Sequence, residues 1–66
     1  MLDWESTYAI AIALKKLFPS VDMEKVSLND IYRWTIALEG FEDDSALVND
    51  EILMDIYKVW LEESLE

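Results

Sequence analysis

The sequence predicts a small all-α domain, and three observations predict it. Apolar residues recur three and four apart instead of alternating, so each stretch has one apolar face at helical period. Gly and Pro occur once each, which leaves few internal breaks. Side chains that cap helices, Asp3, Asp22, Asn29 and Asn49, stand just ahead of the periodic stretches.

Taken in order, Asp3 is expected to cap a first helix from about Trp4 to Leu17. Its inner stripe is Ile10, Ala13, Leu14 and Leu17, and Trp4 clamps its start. Pro19 stops it, because proline disfavours helix in the residue before it. Asp22 caps a single turn over Met23 to Lys25, and Val26-Ser27-Leu28 is a short extended link. Asn29 is expected to cap a second helix from Asp30 to about Glu39, with Ile31, Trp34 and Leu38 inward. Gly40 follows, placed for a left-handed helix terminus. Glu42-Asp43-Asp44-Ser45 is a polar loop. Asn49 caps the third helix, from Asp50 to about Glu63, with Ile52, Leu53, Ile56, Val59 and Trp60 on its inner face. Three helices with a short turn between the first two predict a helix-turn-helix-like, single-domain arrangement over residues 1–66.

The chain has 66 residues, and a core this small is marginal on its own. Its apolar content of 53%, with three Trp, is too high for a disordered acidic tail. No apolar run approaches the roughly 18 residues of a membrane span. The reading is a soluble, cytoplasmic, monomeric protein that binds neither membrane nor nucleic acid.

Charge is placed unevenly. Residues 1–38 carry five acids against Lys15, Lys16, Lys25 and Arg33, net −1, whereas residues 39–66 carry ten acids against Lys58, net −9, which together give the formal −10. Such a half attracts basic protein surfaces or cations and repels nucleic acid.

There is no His and no Cys. That removes the usual general base, the usual nucleophile and most transition-metal ligands. A single Gly cannot build a phosphate-cradling loop. The sequence therefore reads as a non-enzyme. One constellation remains: Glu39, Glu42, Asp43, Asp44, Asp50 and Glu51, six carboxylates in thirteen residues. Carboxylates alone suit hard cations, iron included. The order is not that of a calcium-binding helix-loop-helix, since Gly40 precedes the acids. The bland alternative is a solvated loop leading into a helix start. Trp4, Trp34 and Trp60 could line a cation cage, but Trp34 and Trp60 lie on core stripes.

A series of residues runs through the whole chain: Trp4, Ala13-Leu14, Pro19, Asp22, Trp34, Phe41, Asp43-Asp44, Asn49 and Val59-Trp60-Leu61. At this spacing the chain resembles the IscX family, small acidic proteins linked to iron–sulfur cluster assembly. The resemblance implies a modified winged-helix fold built almost entirely of helices. It implies a non-catalytic adaptor that binds the cysteine desulfurase of the cluster machinery through an acidic face. It also implies weak iron binding through exposed carboxylates, as iron donor or regulator. The positions that match acidic family positions are Glu39, Glu42, Asp43, Asp44, Asp50 and Glu63. Ala9, Ile12 and Lys16 stand where the family tends to have acids on the first helix, and Tyr32 stands where it often has His. The rival reading is an acidic mimic of nucleic acid that blocks a basic protein surface.

Overall fold

A computed structural model describes residues 1–65. Three α-helices and one short 3-10 turn follow in chain order: α1 (Thr7–Leu17), the turn Met23–Lys25, α2 (Leu28–Ile36) and α3 (Asp50–Ser64). The all-helical expectation is met. Among the described residues the only β-type pairing is an isolated parallel bridge between Leu2 and Phe41. Helix α3 packs mainly on α1, and α2 lies across both.

The first helix starts later than expected. Asp3 does not cap it. Its Oδ1 accepts instead from Glu5 N (2.9 Å) and Ser6 Oγ (3.1 Å), closing a tight polar turn that holds Trp4 ahead of the helix. Helical geometry then begins at Thr7. At the other end Pro19 acts as expected: Phe18 leaves helical backbone and its N–H returns to Leu14 O at 2.9 Å. The buried stripe is Ile10, Ala11 and Leu14, continued by half-buried Phe18. Leu17 falls off that face and is 60% exposed, and Ala13 is only half-buried, so the expected stripe was rotated.

The second helix also begins elsewhere. Ser27, not Asn29, caps it. Ser27 Oγ accepts from Asp30 N and Asp30 Oδ2 accepts from Ser27 N, both at 3.1 Å. This reciprocal box satisfies two free donors, where Asn29 alone would satisfy one. Leu28 is therefore helical rather than part of an extended link. The helix ends at Ile36, three residues short of the expected Glu39. A turn follows in which Phe41 N donates to Leu38 O, with Gly40 at φ +88°. That positive φ is open to glycine without strain. The turn swings Phe41 beside Leu2.

The third helix and the 3-10 turn match expectation. Asn49 Oδ1 accepts from Ile52 N at 2.9 Å, and Asp22 Oδ1 accepts from Glu24 N at 3.0 Å. Leu53, Ile56 and Trp60 are buried. Glu51, Asp55, Lys58 and Glu62 form an exposed outer face.

Two aromatic groups organise the core. Trp60, about 1% exposed, meets Phe18 and Trp34 with ring centroids 6.5 and 6.2 Å away. Trp34 is half-buried rather than fully inward, and stacks on Phe18 at 4.4 Å. Trp4 is 3% exposed, edge-on to Phe41 at 4.8 Å and parallel to Tyr32 at 6.1 Å. Trp34 and Trp60 thus face each other, Trp4 faces Phe41 and Tyr32, and no open cation cage is formed by the three.

Candidate functional site

The segment from the end of α2 to the first turn of α3 gathers the acids. Glu39, Glu42, Asp44, Asp50 and Glu51 are exposed, while Asp43 is half-buried. Two of these placements follow directly from local physics. Asp50 and Glu51 occupy the first turn of α3, where free N–H groups and the helix dipole favour negative charge. Glu39 and Glu42 flank Gly40, and the turn around that glycine turns both side chains to solvent.

Asp43 and Asp44 are different. Asp43 Oδ2 accepts from Trp4 N at 3.1 Å, and its Oδ1 accepts from Asp44 N at 2.7 Å. Asp44 Oδ1 accepts from Ala46 N at 2.9 Å. The Asp44 carbonyl accepts from both Leu47 N (3.0 Å) and the indole Nε1 of Trp4 (2.9 Å). These are turn-forming bonds, in which short carboxylates replace missing backbone partners. Beside them, Leu2 N donates to Gly40 O and Glu42 N donates to Leu2 O, each at 2.8 Å. The N-terminal segment is therefore stitched to the acidic segment along its length.

Glu63 stands apart. It lies thirteen residues beyond Asp50 on α3, about 20 Å along the axis at 1.5 Å per residue. Its neighbours are Tyr8, whose hydroxyl donates to Glu63 Oε1 at 3.5 Å, and Lys15, whose Nζ donates to Glu63 O at 2.9 Å. Lys15 thus places a positive charge on the C-terminal end of α3, which has no base in its own last turn. The sequence could not show this tie, since it joins residues 48 apart.

As donors for iron the loop acids have the right chemistry but no common centre. Among the described residues no three acidic side chains come together at a spacing that would hold a metal ion. A cation would have to draw exposed side chains together on arrival. Elsewhere, an open groove of about 580 Å³ is lined by Ile12, Phe18, Trp60 and Leu61 among others. Among the described residues its polar side chains are Lys15, Lys16 and Ser64, and no acid lines it. No helix among the described residues is long and apolar enough to cross a membrane.

The model of a protein family described as iron–sulphur cluster assembly matches residues 2–64. That span takes in the Trp4 stitch, the acidic loop and all three helices, and the chain belongs to this iron–sulphur cluster assembly family, of the IscX type.

Proposed function

We propose that this chain is a non-catalytic acidic adaptor of iron–sulphur cluster assembly, and that it docks on the cysteine desulfurase through the α2–α3 loop and the start of α3. One observation carries the reading: Glu39, Glu42, Asp44, Asp50 and Glu51 are all exposed on one continuous segment, in the half of the chain with net charge −9. A concentrated field of one sign raises encounter rate and selects orientation on a basic patch. The inventory without His or Cys supports a role that is not catalytic. Docking beside the mobile catalytic Cys of such a desulfurase would alter the access of that loop to its sulfur acceptors.

Iron is cargo or effector in this reading. It binds at Glu39, Glu42, Asp44, Asp50 and Glu51. Because the carboxylates are not pre-gathered, ordering them opposes binding, and dissociation constants of roughly micromolar to millimolar order follow. If iron and the desulfurase share these acids, each weakens the other by the same factor.

The test is an anaerobic titration of the desulfurase into this protein, with and without saturating ferrous iron. Binding that weakens in iron supports the shared acidic face. No binding at low ionic strength would remove the desulfurase as partner, and an affinity unchanged by iron would separate the two sites.

A further inference from the structure

The loop that carries the exposed acids has little to hold it. From Glu42 to Leu47 every side chain is exposed except Asp43, which is half-buried. An apolar core cannot fix such a segment, since nothing in it is buried deeply. What fixes it is polar: the Asp43 carboxylate on Trp4 N, the Trp4 indole on Asp44 O, and the paired Leu2 bonds to Gly40 O and Glu42 N. Trp4 contributes two of these bonds, one from its backbone N–H and one from its indole, and the ring itself packs against Phe41 and Tyr32.

We propose that Trp4 and Asp43 form a clasp that sets the shape of the acidic docking loop, so that Asp43 is a positioning residue and touches neither partner nor cation. Both Asp43 oxygens already accept backbone N–H groups, one of them across 39 residues of sequence. A ligand that took Asp43 would have to share oxygens that already hold Trp4 and the loop turn. The inference rests on the docking reading for its functional side, but the clasp itself is a property of the free protein. Releasing it lowers the fraction of molecules in the docking-competent shape and weakens apparent affinity by that fraction.

Two variants separate the roles. Trp4→Phe keeps an aromatic ring against Phe41 and Tyr32 and removes the indole N–H together with part of the ring, with no change in charge. Asp43→Asn removes the charged acceptor. Glu42→Gln, with the same loss of charge on an exposed neighbour, is the control. In the free protein, amide hydrogen exchange at Asp44, Ala46 and Leu47 should quicken about tenfold in both clasp variants, the size expected for loss of one hydrogen bond. Glu42→Gln should leave it unchanged. At a temperature where all variants are folded, Trp4→Phe should also weaken desulfurase binding although every acid is still present. A clasp that matters only for global stability would leave that affinity alone. Exchange within about twofold of the parent in both clasp variants would overturn the proposal. So would a tenfold loss of ferrous-iron affinity in Asp43→Asn with loop exchange unchanged, because Asp43 would then be a ligand. Failure of the parent to bind the desulfurase would instead count against the docking reading, and the exchange data on the free protein would still decide the clasp.

Discussion

Trp60 joins the three helices, because its ring lies in α3 and meets Phe18 at the end of α1 and Trp34 in α2. Trp60→Ala removes that junction and should destabilise the fold by about 3–5 kcal/mol. At roughly 0.05–0.15 kcal/mol per residue, the whole domain has only about 3–10 kcal/mol. A large fall in the midpoint of thermal unfolding is the expected outcome, read by circular dichroism. Thr35 gives the opposite sign. It is fully buried in α2, and among the described residues its Oγ1 has no hydrogen-bond partner. A buried hydroxyl left unpaired costs about 1–3 kcal/mol of desolvation. Thr35→Val has the same shape without that oxygen, so it should raise the melting temperature. A drop would mean that the hydroxyl has a partner, such as a bound water.

At the scale of elements, α2 depends on its cap. The carboxyl of Asp30 is held below the ordinary aspartate range, first by its hydrogen bond with the Ser27 backbone N–H, then by Arg33. The unfolded chain therefore takes up a proton at Asp30 at higher pH than the folded one does. The contribution to stability is fully present above the unfolded value near 3.9 and is lost as pH falls through the lowered folded value. Asp30→Asn should destabilise at neutral pH and converge on the parent at the acid end. Parallel pH–stability curves for the two would contradict that assignment. This cap also shows what the sequence made legible. Asn49 and Asp22 were readable as caps because a single side chain accepts from a nearby N–H in each case. Asn29 was misplaced because Ser27 and Asp30 act reciprocally, and only the pair outcompetes a lone cap. The inner face of α3 was readable because it repeats at helical spacing without a break from Ile52 to Trp60. The start of α1 was not, because Asp3 is engaged with Glu5 and Ser6, and Trp4 is held by residues about 40 positions away. The same distance hid the difference between Asp43 and its exposed neighbours. Six carboxylates look equivalent in sequence, but a contact from the N-terminal segment makes one of them structural.

On the scale of the whole molecule, charge dominates. The formal charge is −10, and among the described residues one ion pair is present, Arg33 with Asp30. Repulsion among the acids of residues 39–66 therefore has little attraction to offset it, and the Debye length falls from about 10 Å at 0.1 M to about 3 Å at 1 M salt. Added monovalent salt should raise the melting temperature of the free protein. A fall over the first few hundred millimolar would mean that attractive pairs outweigh repulsion. The same field is what a basic partner would meet. The central claim is that the exposed acids around the α2–α3 loop are the docking face, and charge reversal tests it most directly. Glu39, Glu42 and Glu51 are exposed and make no side-chain hydrogen bond among the described residues, so replacing all three with Lys leaves the clasp and caps intact. Lys16→Glu, an exposed change on α1, is the control. Calorimetric titration of the desulfurase at low salt should show binding by the parent and by Lys16→Glu, and none by the triple variant with its helical spectrum unchanged. Binding of the folded triple variant with the parent's affinity would contradict the account.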